Sequence, residues 1–138
     1  MERKLIIRNF GAIASADIAL KDFNIFIGEQ GAGKSTVAKL ITIFENSRDK
    51  VLKVDSDYLM TKFSEYNIIS YFNPDSYISY SSEQGDITYE DGSFNFTFSY
   101  HSTSHNLYIP AERFFISTFS RSIATLVLSK APIPVTLL

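Results

Sequence analysis

Residues 28–35 read Gly-Glu-Gln-Gly-Ala-Gly-Lys-Ser and match the pattern G-x-x-x-x-G-K-[ST] at every fixed position. Glycines let the backbone turn tightly, so that successive N–H groups face an anion. A loop of this kind works only with a strand before it and a helix after it. This segment therefore constrains the fold of the chain more than any other.

The sequence on each side of the loop fits that requirement. Phe23–Ile27 is largely apolar and is predicted to be a strand that is buried on both faces. Lys34–Phe44 is predicted to be a helix, because apolar residues recur along it at spacings of three and four. We therefore expect an α/β fold with a P-loop core. The apolar residues of the helix are Val37, Leu40, Ile41 and Phe44.

Each polar residue of the loop has an expected role. Lys34 is placed to reach the β- and γ-phosphates of a nucleotide, Ser35 to ligate Mg²⁺, and Thr36 to help hold the α-phosphate. The alternative is a glycine-rich turn with a solvated lysine, which the flanking strand and helix disfavour. The predicted ligands are ATP and Mg²⁺. The predicted site residues are Gly28, Glu29, Gln30, Gly31, Ala32, Gly33, Lys34, Ser35 and Thr36.

Two strands are expected before the loop, and a second helix after it. Leu5–Phe10 and Ile13–Leu20 have the composition of strands, separated by a turn at Gly11. Glu45–Asp57 is polar and is predicted to be a loop. Tyr58–Ser70 is predicted to be a helix, since an apolar stripe runs along it. The stripe consists of Leu59, Phe63, Tyr66 and Ile69.

The following segment predicts β structure. Tyr77–Ser81 and Ile87–Glu90 are predicted strands, and Asp91-Gly92 has the composition of a two-residue hairpin turn. Ile87–Asp91 superficially resembles a strand ending in the acids of an ATPase, but the hairpin is the better interpretation. Beyond the turn, alternation places four aromatic residues on one face. They are Phe94, Phe96, Phe98 and Tyr100. A short strand at Leu107–Ile109 and a helix from Ile116 to Leu126 are expected next.

Length and composition limit the class of protein. The 138 residues suffice for one domain, residues 1–138, and the net charge of −2 gives no general attraction to nucleic acid. There are no cysteines, which excludes disulfides and thiolate metal sites. No apolar run reaches the ~18 residues of a membrane span, so a cytoplasmic location without a membrane partner is expected. The end of the sequence, Pro132–Leu138, finishes on apolar residues without a polar tail and suggests the N-terminal part of a longer protein.

The opening segments resemble the N-terminal lobe of ABC-type ATPases of the SMC, RecF and OLD-nuclease kind. The residues that carry the resemblance are Leu5–Ile13, Asp17–Leu20 and Phe23–Gly28, which lead into the loop. Tyr108–Arg113 resembles a segment of bacterial AAA-family ATP-binding proteins related to OLD nucleases. The resemblance implies an antiparallel β portion beside the P-loop core, ATP hydrolysis, and a homodimer formed through the nucleotide site. It also implies a DNA or nuclease partner, in DNA repair or phage defence.

The sequence lacks several elements of that family. It contains no LSGGQ-like signature, no apolar strand ending in Asp-Glu and no switch histidine, so no catalytic residue is assigned. Two hypotheses therefore remain open: an ATPase domain, and a non-hydrolysing interaction or scaffold fragment that binds nucleotide weakly or not at all. Glu112 and Arg113 follow a predicted strand end, where charged residues can reach the ligand crevice of an α/β sheet.

Overall fold

A computed structural model describes residues 3–47 and 54–98, and all structural statements below concern these residues. The chain divides into two units, Met1–Tyr108 and Ile109–Leu138, and the described residues belong to the first. Several predicted features lie outside the described residues. They are Tyr100, the strand at Leu107–Ile109, the charged pair Glu112 and Arg113, and the helix from Ile116 to Leu126.

The described strands form one antiparallel sheet of five strands in the order β2-β1-β3-β4-β5. The strands expected at Leu5–Phe10, Ile13–Leu20, Tyr77–Ser81 and Ile87–Glu90, and the one after Asp91-Gly92, are confirmed with small differences at their ends. Neighbouring strands are joined by short turns, except that β1 pairs with β3 across a long stretch of chain that contains both helices. The strands are β1 Arg3–Phe10, β2 Ile13–Leu20, β3 Tyr77–Ser82, β4 Gly85–Glu90 and β5 Ser93–Phe98.

Two helices lie between β2 and β3 in the chain: α1 is Lys34–Ser47 and α2 is Ser56–Glu65, and a short 3₁₀ helix follows at Ile69–Tyr71. The predicted loop Glu45–Asp57 is therefore wrong at both ends. Asp55 caps α2, because its carboxylate accepts a hydrogen bond of 2.8 Å from the amide of Tyr58.

The single helix predicted over Tyr58–Ser70 is also corrected. Asn67 has a φ of 55°, a left-handed conformation that no α-helix continues through. The helix therefore ends at Glu65, and Ile69 falls outside the predicted stripe, with 43% of its surface exposed. Leu59 and Phe63 are fully buried, as the stripe predicts.

One face of the sheet packs against the helices and forms the core. Residues two apart along a strand share a face, and the buried residues of β4 and of the first part of β1 alternate accordingly. Phe44 of α1 stacks on Tyr80 of β3 at 5.7 Å between ring centroids, and Phe63 of α2 contacts Phe94 of β5 at 5.8 Å. The helices therefore cover the same face. The fully buried core residues include Leu5, Ile7, Phe10, Leu40, Ile43, Leu59, Ile68, Ile78 and Ile87.

The hairpin predicted at Asp91-Gly92 is confirmed. Asp91 and Gly92 have φ values of 49° and 78°, the combination of a type I′ turn. The resemblance of Ile87–Asp91 to an acidic strand end is thus explained by turn geometry. Phe94 is buried and Phe96 half-buried on one face of β5, as the alternation predicts. The side chain of Phe98 lies outside the described residues.

The strand predicted at Phe23–Ile27 is wrong for the described structure. Phe23, Ile25 and Ile27 are 81%, 70% and 91% exposed, and Phe26 alone packs partly against the core. A strand needs a neighbour to satisfy its backbone groups. Within residues 3–47 and 54–98, no backbone hydrogen bond joins residues 25–27 to another segment. The predicted P-loop α/β core therefore stays a prediction, while the antiparallel portion is present.

Candidate functional site

The loop predicted from the sequence connects the extended segment 23–27 to the start of α1. Gly31 and Gly33 have φ values of 82° and 88°, in the region that strongly favours glycine. The amide of Ala32 donates to the carbonyl of Glu29 at 3.3 Å and tightens the turn. The backbone thus favours glycine at two positions of the loop, and Gly33 is one of the fixed positions of the pattern.

The loop approaches β2 most closely at Gly33. A β-carbon built on Gly33 would lie 2.5 Å from Cγ1 of Ile13 and 3.1 Å from its Cδ1. Such distances are shorter than atomic contact allows, so glycine is needed here for space as well as conformation. Gly33 is buried while residues 28–32 are exposed. The loop is therefore anchored at its helical end and open to solvent elsewhere.

The start of α1 presents unpaired backbone donors. The first hydrogen bond of the helix runs from the amide of Val37 to the carbonyl of Gly33, at 2.9 Å. The amides of Lys34, Ser35 and Thr36 have no acceptor among the described residues. Unpaired amides at a helix N-terminus, together with the helix dipole, favour a bound anion.

The side chain of Lys34 closes the loop from the inside. Its Nζ donates to the carbonyl of Gly28 at 2.7 Å and also to the carbonyl of Glu29. An ammonium group has three donors, so one remains for a ligand. Lys34 therefore places a positive charge at the first two residues of the loop and holds them in position.

Two hydroxyl groups follow Lys34 on the first turn of α1. Ser35 is exposed, and Thr36 is 5% exposed. Neither hydroxyl has a hydrogen-bond partner among the described residues. A buried hydroxyl without a partner costs free energy, which makes the Thr36 hydroxyl a candidate contact for a ligand. The structure therefore brings Lys34, Ser35 and Thr36 together at one helix terminus, as their sequence positions require.

A cavity of about 430 Å³ lies beside the loop. Its walls come from the start of β2, the extended segment and the first residues of α1. Among the lining residues, Ser15 and Lys34 alone carry polar side-chain atoms. This wall was not predicted from the sequence, because the contribution of β2 depends on tertiary contact. The lining residues are Ala12, Ile13, Ala14, Ser15, Ala16, Ile25, Phe26, Ile27, Ala32, Gly33, Lys34 and Val37.

The described residues provide no separate metal centre. Within residues 3–47 and 54–98, no three His, Asp or Glu side chains lie close enough to hold a metal ion. Glu29 and Gln30 are exposed in the loop.

In the part of the chain that the structure describes, no helix is both long and apolar enough to cross a membrane.

Comparison with known proteins gives one match. A family model described as an AAA ATPase domain matches residues 1–126, which is most of the chain. No curated protein and no solved structure matches the chain. The matched range contains the whole loop, both helices and all five strands.

Proposed function

Because the chain belongs to the AAA ATPase domain family, we propose that residues Gly28–Thr36 bind magnesium-ATP. Family membership supports an ATPase-type nucleotide-binding domain. The observation that carries the assignment to this loop is the position of Lys34. Its side chain crosses the loop from the start of α1, where the amides are unpaired, to the carbonyls of Gly28 and Glu29. Positive charge and convergent donors are what a polyphosphate requires.

The residues of the first turn divide the triphosphate among themselves. The third N–H donor of Lys34 binds the β- and γ-phosphates, and the backbone amides of Lys34 and Ser35 bind the same two phosphates. The buried hydroxyl of Thr36 donates a hydrogen bond to the α-phosphate. The nucleoside then extends into the apolar cavity, where Phe26 is the aromatic residue among its lining residues.

The residues present fit a magnesium ion held mainly by the nucleotide. Mg²⁺ prefers six oxygen ligands and commonly takes one or two from the protein, with the rest from phosphates and water. The exposed and unpartnered hydroxyl of Ser35 supplies one such oxygen. Bound Mg²⁺ neutralises charge on the phosphate oxygens.

The more specific function rests on the sequence resemblance. We propose that the chain is the N-terminal portion of an ABC-type ATPase of the SMC, RecF and OLD-nuclease kind, in DNA repair or phage defence. The antiparallel sheet before and after the loop supports this choice. Two copies would share ATP at the nucleotide site, with DNA or a nuclease as further partner. The competing proposal is a scaffold that does not hydrolyse ATP. The absence of an LSGGQ-like signature and of a strand ending in Asp-Glu from the sequence favours it.

Calorimetric titration with ATP tests the metal assignment. We expect Mg²⁺ to tighten ATP binding to the wild-type chain, and Ser35→Ala to lose most of that gain while keeping metal-free binding. Ser64→Ala serves as the matched control, because Ser64 is an exposed helix serine away from the loop. An unchanged response to Mg²⁺ in Ser35→Ala would exclude Ser35 as a ligand.

A second titration tests the choice of nucleotide. ATP, GTP and inorganic tripolyphosphate are compared on the wild-type chain. We expect ATP to bind more tightly than tripolyphosphate, because the nucleoside gains contact with the cavity. Equal affinity for the two would show that the site holds phosphates alone, and tighter GTP binding would contradict the assignment of ATP.

A further inference from the structure

The structure assigns to Arg3 a role as a positioning residue for the nucleotide site: its guanidinium ties the segment that enters the loop to the helix that leaves it. Nothing in the loop pattern includes Arg3, which lies at the start of β1. The inference rests on the proposed binding of ATP at residues 28–36. Arg3 acts through the backbone and contacts no part of the loop itself.

The contacts of Arg3 reach in two directions. Nη1 donates to Oε1 of Glu45 at 3.3 Å, while Nη2 donates to the carbonyl of Lys21 at 3.1 Å and to Oδ1 of Asp22 at 3.2 Å. Glu45 is in the last turns of α1. Lys21 and Asp22 form the turn directly before the extended segment. One planar group therefore fixes the separation of two elements that meet again at the loop.

The Glu45 end of this link is firmly anchored. Glu45 is 5% exposed and also accepts a hydrogen bond from the hydroxyl of Tyr80 on β3. Its carboxylate is therefore held against the sheet in the core. Arg3 itself has a third of its side chain exposed, so it bridges the interior to the surface turn.

At the other end of the link, Lys21 follows Leu20, which pairs with Arg3 in the sheet, and the Asn24 side chain bonds to the backbone of Lys21. Residues 25–27 make no backbone hydrogen bond to another segment of the described chain. The extended segment is held by the partial packing of Phe26 against the core, by the bonds of Arg3 at one end, and by those of Lys34 to Gly28 and Glu29 at the other. Loss of the Arg3 link thus removes one of the contacts that position the entry to the loop, while α1 stays packed.

Titration of the 138-residue chain with ATP tests this role. We expect Arg3→Gln to weaken binding about fivefold, a size typical of residues that act on a distant site through packing. Arg3→Lys keeps the positive charge but lacks the planar fork that reaches three acceptors. We expect a similar loss, whereas wild-type affinity in Arg3→Lys would overturn the role.

Tyr80→Phe separates positioning from general stability. It removes a bond to the same Glu45 but leaves the contacts of Arg3 to Lys21 and Asp22. We expect both Arg3→Gln and Tyr80→Phe to lower the melting temperature, with ATP affinity reduced in Arg3→Gln alone. Equal losses of affinity in the two variants, or none in Arg3→Gln, would overturn the inference.

Asp22→Lys covers the case in which Arg3→Gln does not fold. The Asp22 side chain is fully exposed, so the fold tolerates its replacement. A lysine there repels Arg3, and we expect affinity to fall about threefold at unchanged melting temperature. Unchanged affinity would contradict the link. Failure of the wild-type chain to bind ATP would remove the proposed function and this inference with it, while normal wild-type binding isolates the test of Arg3.

Discussion

Gly33 of the loop and Ile13 of β2 are in such close contact that a β-carbon at Gly33 would lie 2.5 Å from Cγ1 of Ile13. The hairpin of β1 and β2 thus packs against the loop at Gly33. This contact joins the loop to the antiparallel strands that precede it.

Gly33→Ala is expected to damage both the fold and the site. The added methyl group must displace Ile13, and the alanine must adopt a φ of 88°. Together these two effects cost about 1–3 kcal/mol of unfolding free energy. Urea unfolding measures this loss, and ATP titration should show binding reduced at least tenfold.

Gly28→Ala is the control for stability. A β-carbon there would lie 3.8 Å from that of Ala32, an ordinary contact. Its unfolding free energy should stay close to that of the wild-type chain. A loss in Gly28→Ala as large as in Gly33→Ala would mean that the contact with Ile13 is not the cause.

Asn9 is expected to be important for stability, because it joins β1 to the turn before β3. Its φ is 50°, its carbonyl accepts bonds of 2.6 Å from both Asn73 and Ser76, and its side chain donates to Asp75 at 3.3 Å. We expect Asn9→Ala to lower the unfolding free energy by about 1–2 kcal/mol, from backbone strain and a lost hydrogen bond.

Asn9→Gly distinguishes the two causes. Glycine accepts the positive φ but lacks the side-chain donor. Its loss in urea unfolding should therefore be smaller than that of Asn9→Ala. The reverse order would show that the left-handed conformation of Asn9 is not a source of strain.

ATP turnover by this chain is expected to be far below ~1 s⁻¹, the low end of ordinary enzymes. The reason is that the sequence contains no strand ending in Asp-Glu and no signature segment. Phosphate release in the presence of Mg²⁺ measures the rate. Turnover near ~1 s⁻¹ that disappears in Lys34→Ala would reveal a catalytic base that the sequence analysis missed and would reject the scaffold alternative.

Local signals predicted much of the structure. The β1–β2 hairpin, the hairpin at Asp91-Gly92 and the helix after the loop each follow from short-range pattern and turn chemistry. The loop itself was also predictable, since Gly31 and Gly33 need positive φ and Lys34 lies beside them.

Long-range contacts account for the features that were predicted wrongly from the sequence. Glu45 was predicted to be in a polar loop, yet it is buried because Arg3 and Tyr80, far away in the chain, supply its hydrogen bonds. The segment Phe23–Ile27 was predicted to be buried because it is apolar. Burial requires neighbouring strands, and the described residues place none beside it.

Titration of the wild-type chain and Lys34→Ala with magnesium-ATP tests the central claim most directly. Lys34 contributes the positive charge inside the loop and contacts the carbonyls of Gly28 and Glu29, so its loss should abolish measurable binding while the melting temperature stays nearly unchanged. Lys4→Ala, which removes a half-exposed lysine of β1, should bind like the wild-type chain. Unchanged ATP affinity in Lys34→Ala would contradict the assignment of this loop as the nucleotide site.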